Sequence, residues 1–434
     1  MNAQDLQKNH AGIRLLPGNT DASDARLGRL AERHAQRVGP DREVAIVSSP
    51  GRTELAGNHT DHNNGRVLCA SVDLDVLAVV SPRSDSLVRI ESEGYEGIIE
   101  VDVSDVAPRA HEREHPHALV RGVAAAFAEA GRPVFGFDAT VTSRVASGSG
   151  LSSSAAFEVF LGTTFVFLRQ PRPQRDGGPG AQELCGEDVL FVARAGQRAE
   201  NEYFGKPCGL MDQIACAHGG IVSIDFSDDP PDITPVNFDF GTAGYALAVV
   251  DTGGTHADLT ADYAAVPEEM RAVARQLGGT VLADCAENAL HEQLARVRRA
   301  CGDRAVLRAL HFFSENRRVA CMIETLAAGD ADSYLRLVRE SGESSARLLQ
   351  NHYSPGNPSN QGIGIGAYIA QRFLDARELP GAARVHGGGF AGTIQVYVPI
   401  GQWQGFVSTM EEIFGAGSVT RLRVRAEAPR FIVP

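Results

Sequence analysis

One segment constrains this chain more than any other: residues 143–156, SRVASGSGLSSSAA, running on into FEVFLGTTFVFL. Gly148, Ser149 and Gly150 make a turn, and Ser152, Ser153 and Ser154 then open an apolar helix with Ala155 and Ala156 in its first turn. The first N–H groups of a helix have no partner inside it and form its positive end. Glycines let the backbone close on a ligand and serine hydroxyls add donors, so an anion, above all a phosphate, suits this place. The run is not a Walker A loop, because no Gly-Lys-Ser/Thr follows, and it is not GxGxxG, because Ser153 stands at the third glycine position. A serine-capped structural helix is the other reading of the segment alone.

A phosphate ligand sits awkwardly with the overall charge. The chain has 41 Lys and Arg against 54 Asp and Glu, a formal net charge of −13. That excludes nucleic acid as an expected partner. Lys8 and Lys206 are the only lysines, so helix N-termini and chosen arginines must supply local positive potential. No apolar run approaches the ~18 residues of a membrane span, and the first 20 residues hold no apolar leader core, so a cytoplasmic protein without a membrane partner is expected. The seven cysteines form no CxxC pair, which suits free thiols in a reducing compartment.

The 434 residues suffice for two or three domains. Strand patterns fall at 44–48, 76–81, 87–91, 97–103, 135–141, 221–226, 245–251, 383–386 and 394–398. Helical patterns fall at 116–130, 153–168, 187–202, 267–277, 307–328, 331–350, 366–376 and 405–414. This order predicts an α+β fold in two lobes. The Pro- and Asp-rich stretch 227–235 divides them into 1–228 and 229–434, and the Pro/Gly-rich stretch 169–180 reads as an exposed loop.

Three further segments carry chemistry. Residues 49–67, SPGRTELAGNHTDHNNGRV, crowd Arg52, Glu54, Asn58, His59, Asp61, His62, Asn63 and Asn64 together after a strand. Acids and amides at this density suit a polyhydroxylated ligand, since each bridges two adjacent hydroxyls. A solvated loop, or a metal held by His59, Asp61 and His62, are the other readings. In residues 199–220, AENEYFGKPCGLMDQIACAHGG, a helix carrying Glu200 and Glu202 breaks at 205–207. A new helix starts near Gly209 with Asp212 in its first turn, where the dipole favours the ionised carboxylate. In residues 386–399, HGGGFAGTIQVYVP, four glycines make a tight turn into a strand, as where backbone approaches something closely.

Together and in this order the segments resemble the galactokinase branch of the GHMP small-molecule kinases. The signature of that branch, GRxNLIGEHTDYNGG, is matched by GRTELAGNHTDHNNG at 51–65. GLSSSA is intact at 150–155, GxPCGxMDQ is intact at 205–213, and GGGFGGC appears as GGGFAGT at 387–393. The resemblance implies the GHMP fold, with two mixed lobes of sheet and helix and the active site in the cleft between them. It implies an ATP-dependent sugar 1-kinase making galactose 1-phosphate and ADP, with Mg2+ as cofactor and a monomeric chain. Gly148, Ser149, Gly150, Ser152, Ser153 and Ser154 match the ATP phosphate loop. Ser154 and Glu200 match the magnesium ligands, with Glu202 as the alternative acid. Asp212 matches the acid beside the C1 hydroxyl, and Arg52 the arginine between that acid and the γ-phosphate. His59, Asp61, Gly209 and Tyr263 match positions that contact the sugar.

The chain departs from the pattern at Asn58, where the family has a Glu that holds the C6 hydroxyl of galactose. Asn58 as a sugar contact therefore brings in N-acetylgalactosamine, L-arabinose or a uronic acid as alternative substrates, and a non-catalytic sugar sensor is a further reading. His62, Ala391 and Thr393 replace Tyr, Gly and Cys. The stretch 115–123 lacks the family's Trp and Tyr, which leaves the adenine pocket unassigned, and 353–362 contributes no site residue.

Overall fold

The structure is a computed structural model that describes all residues except 11, 12, 14, 16–20, 147, 149, 170–179 and 255–258. Ser149 and most of the 169–180 loop therefore lie outside the described residues. The strands are β1 (Ala45–Ala56), β2 (Arg66–Pro82), β3 (Leu87–Ser92), β4 (Ile99–Asp102), β5 (Phe137–Ser143), β6 (Gly180–Glu183), β7 (Ile221–Asp225), β8 (Asp232–Val236), β9 (Tyr245–Asp251), β10 (Ala382–Val385), β11 (Thr393–Pro399), β12 (Val419–Leu422) and β13 (Arg430–Val433). They form two sheets. The larger runs β4-β3-β5-β2-β1-β13-β6, with β7 on β2 and β8 on β7. The smaller runs β10-β11-β9-β12.

Long β2 organises the first sheet. Its first half pairs with β7 and its second half with β5, while β1 lies antiparallel along its other edge. The β1–β2 register shifts between Pro50 and Arg52 and again between Glu54 and Ala56. Such bulges turn a strand and re-aim its side chains, and Arg52 and Glu54 lie between the two. All of β1 is buried. The sequence pattern ends a strand at Ser48 because Pro50, Gly51 and the charges that follow read as loop. The strand continues because the bulges absorb the misfit and the charges find buried partners.

Helices Pro116–Glu129, Ser153–Phe167 and Glu187–Arg198 cover one face of the large sheet, and Asp21–Val38 covers the other. In β9, Tyr245, Leu247 and Val249 face a core shared with helices Asp303–Ala327 and Ala331–Ser344, which lie between the sheets. Ala248 and Val250 face the helices Gly362–Asp375 and Trp403–Phe414 instead, the two-residue alternation of a strand covered on both sides. The expected boundary falls in the turn before β8, which pairs with β7, and β13 from the C-terminal end pairs with β1. The large sheet is thus not built from one continuous half of the chain. Strands β6, β8, β12 and β13, of four or five residues each, fall outside the strand patterns of the sequence.

Candidate active site

The centre is an ion pair between strand β1 and the helix Met211–His218. Arg52 on β1 donates from Nε to Asp212 Oδ1 at 2.7 Å and from a terminal nitrogen to Oδ2 at 2.8 Å. Asp212 stands in the first turn of helix Met211–His218, as the sequence predicts. This two-pronged geometry is the strong form of an arginine–carboxylate contact. The remaining Arg52 nitrogen donates to the Gly150 carbonyl, and its main-chain N–H donates to Leu151 O at 3.1 Å. Ser152 donates its hydroxyl to Asp212. Burial pushes the Asp212 carboxyl up, but the Arg52 charge and hydrogen bonds, then Ser152 and Lys206, outweigh it and hold the group below the usual carboxylate range.

The glycine–serine turn meets this pair. Gly148 and Gly150 have φ of 76° and 71°, and Ser152 is left-handed at φ 59° before helix Ser153–Phe167. The Ser152 side chain makes no capping bond to that helix. The sequence reading groups Ser152 with the phosphate-binding serines; in the structure its hydroxyl belongs to the Asp212–Arg52 pair. Gly150 is obligatory on space alone. A Cβ there would lie 2.7 Å from Thr393 Oγ1 and 2.8 Å from His386 Nδ1, so the turn rests on the glycine segment of the C-terminal lobe.

Ser154 donates to Glu200 Oε1 at 3.0 Å. Glu200 lies in a π-helical turn, Ala199–Phe204, that continues Glu187–Arg198. The widened turn buries Glu200 and leaves Glu202 exposed on Arg198 at 2.8 Å, so Glu200 is the acid that faces the serines. Glu200 also meets Lys206 Nζ at 3.2 Å and Gln213 Nε2 at 3.2 Å. Ser154 and Glu200 offer adjacent hard oxygen donors, and Glu200 already attracts a cation, so the pair fits magnesium.

The polar signature forms the opposite wall. A Cβ on Gly209 would lie 1.9 Å from Asp61 Oδ2, so only glycine lets the Asp61 carboxylate reach the turn before Asp212. His59, left-handed at φ 61°, donates from Nε2 to Gly388 O at 2.9 Å. Burial, then the nearby His62, holds its imidazole down to about 3, so it is neutral. Tyr263 donates to Gly389 O at 2.9 Å, and its ring stands edge-on to Phe390. Among the sugar candidates, His59 and Tyr263 brace the glycine turn, and Asp61 faces Gly209.

Asn58 is the correction. Its side chain is fully buried, with Nδ2 donating to Gly387 O at 2.6 Å and to both Glu54 oxygens at 3.0 and 3.3 Å. Its Oδ1 accepts from Asn351 Nδ2 at 2.7 Å. Both amide N–H groups are spent, the oxygen already accepts one bond, and the side chain has no exposed surface. Sequence reasoning missed the partners that hold this loop. His311 Nε2 donates to Asn58 O at 3.0 Å, Glu315 accepts from Gly57 N at 3.2 Å, and Arg384 pairs with Glu54. A charged Arg384 within the buried strand AARV was the available signal.

This fold is shared with the GHMP kinases. Methanococcus jannaschii mevalonate kinase aligns with a TM-score of 0.60 at 13% identity, over 87% of this chain and 98% of that one. The crystal structure of Lactococcus lactis galactokinase complexed with galactose aligns with a TM-score of 0.76 at 22% identity, over 93% of this chain and 99% of that one. The family model of the galactokinase galactose-binding signature matches residues 32–82, the span that carries Arg52, His59 and Asp61. A galactokinase of Streptomyces coelicolor is 31% identical over 414 residues, covering 94% of this chain and 97% of that protein. The chain belongs to the galactokinase family.

Proposed function

We propose that this chain transfers the γ-phosphoryl group of ATP to the anomeric hydroxyl of galactose, giving galactose 1-phosphate and ADP. The observation that carries the reading is the two-pronged Arg52–Asp212 pair, set between the glycine–serine turn and the Asp61–Gly209 contact. The turn and helix N-terminus take the ATP phosphates, with backbone N–H groups answering the −13 charge of the chain. Asp61 and the loops braced by His59 and Tyr263 take the sugar. Asp212 accepts the proton of the C1 hydroxyl while Arg52 faces the charge on the moving phosphoryl. Ser154 and Glu200 would hold magnesium, which when bound would supply positive charge against the ATP phosphates. The alternative substrates rest on Asn58 as a sugar contact; its side chain lies buried on Glu54, Gly387 and Asn351, and the likeness to galactokinases supports galactose. The reading takes the chain as a cytoplasmic monomer. Among the described residues no helix is long and apolar enough to cross a membrane.

Coupled ADP release over a panel of galactose, N-acetylgalactosamine, L-arabinose and galacturonate tests the substrate. Galactose is expected to give the highest kcat/KM, and a higher value for any of the others refutes the choice.

Two results follow from the geometry. Gly209→Ala must displace the Asp61 carboxylate. Losing one charge-assisted hydrogen bond costs about 1.5–3 kcal/mol, so the galactose KM should rise roughly 10- to 100-fold. An unchanged KM would separate Asp61 from the sugar. Ser152→Ala removes one of the bonds that lower Asp212, so the acid limb of kcat/KM should move to higher pH. An acid limb that stays in place would place the Ser152 bond outside the catalytic pair.

A further inference from the structure

The two oxygens of Glu200 are used differently. Oε2 accepts from Gln213 Nε2 at 3.2 Å, and the same amide nitrogen is tied to Glu158 at 3.0 Å, so this oxygen is held in place. Oε1 accepts from the Ser154 hydroxyl at 3.0 Å and from Lys206 Nζ at 3.2 Å. The ammonium therefore rests on the one oxygen that Glu200 and Ser154 together offer a divalent cation. We infer that Lys206 is a further phosphate-binding residue: its ammonium is the counter-charge of Glu200, and passes to the nucleotide phosphates once that oxygen is given to a divalent cation.

The turn that carries Lys206 is folded onto Glu200 itself. The main-chain N–H groups of Gly205 and Lys206 both donate to the Glu200 carbonyl, at 2.9 and 3.0 Å. The backbone thus keeps the lysine beside this carboxylate, while its side chain, 61% exposed, can change partner. Two cations on one oxygen repel, so an ammonium displaced there moves to the nearest other anion. The shared oxygen puts Nζ within two hydrogen-bond lengths of Ser154, in the first turn of the helix whose N-terminus takes the phosphates. The same charge helps to lower the Asp212 carboxyl, so it is felt at both acids of the site. The residue type fits the exchange. Lys206 is one of only two lysines in the chain, and the other, Lys8, lies in the N-terminal helix Ala3–Asn9. An arginine fork grips a carboxylate at two points, as Arg52 grips Asp212, whereas an ammonium is a point charge on a mobile stem.

The inference rests on the phosphate site of the proposed function, and binding measurements test it without requiring galactose to be the substrate. Mn2+ binding to the nucleotide-free chain is followed by electron paramagnetic resonance, and MgATP binding by calorimetry, for the parent, Lys206→Met and Lys206→Arg. Lys206→Met removes the competitor for Glu200 and should bind Mn2+ about threefold tighter or more. It should bind MgATP about tenfold weaker or more, the scale for losing one charge-assisted hydrogen bond. The opposite signs are the signature, because a lysine that only stabilised the turn would weaken both. Lys206→Arg keeps the charge and grips Glu200, so Mn2+ should bind no tighter than to the parent, and MgATP better than to Lys206→Met. A parent that binds MgATP but leaves galactose unphosphorylated refutes the substrate, while the two affinities still judge Lys206. Lys206→Met with Mn2+ affinity unchanged or lower, or with parental MgATP affinity, overturns the inference. So does a Lys206→Arg that binds MgATP no better than Lys206→Met.

Discussion

Asp212→Asn is expected to lower galactose turnover by about 10²-fold or more, the usual scale for loss of a general base. Asn keeps the shape and one acceptor for Arg52, so the ATP KM should stay within about threefold of the parent. The Asp212 carboxyl sits below the usual carboxylate range, which makes it a weak base. In the proposed mechanism it takes the proton only as the hydroxyl becomes acidic, when its oxygen is already bonding to phosphorus. A loose phosphoryl-transfer transition state, with little charge on the incoming oxygen, tolerates such late transfer. The same depressed value fixes the sign of a stability effect. Ionised Asp212 paired with Arg52 stabilises the fold above the ordinary carboxylate pKa, and the contribution is lost as pH falls through the lower folded value. The gap in unfolding midpoint between parent and Asp212→Asn should therefore close in acid. A variant with parental turnover contradicts the base assignment.

Arg52→Met should do comparable damage by two routes. It removes the positive charge that the proposed mechanism places beside the transferring phosphoryl, a loss of about 10²–10³-fold in turnover. It also removes the largest influence holding Asp212 down. Burial then acts with less opposition, and the acid limb of kcat/KM should move to higher pH. Arg52→Lys separates the routes. A lysine keeps the charge but lacks the rigid fork, so turnover should fall while the acid limb moves less. Identical pH profiles for both variants would show that Arg52 does not set the Asp212 carboxyl.

The pair itself was legible in the sequence, because Arg52, Asp212 and the serine run stand in motifs whose order carries the family. Helices Pro116–Glu129, Ser153–Phe167, Asp303–Ala327 and Ala331–Ser344 were legible from their periodicity, whereas the helix Asp21–Val38 and more than half of the long strands β1 and β2 were not. The inward turn of Asn58 was not. Its partners Gly387, Asn351 and His311 lie 329, 293 and 253 residues away, and no local pattern records such contacts. Glu54 and Arg52 read as loop residues because buried charges break the alternation that marks a strand. The Ser152 bond to Asp212 depends on a left-handed residue at the mouth of a helix, a detail of backbone that the letters alone leave open.

The most direct test is to supply the chain with galactose, ATP and Mg2+ and to locate the product phosphate by 31P and 1H NMR. Stoichiometric ADP and a phosphate on the anomeric oxygen, giving galactose 1-phosphate, are expected. Galactose binding without ADP release, or a phosphate on any other hydroxyl, contradicts the proposed function.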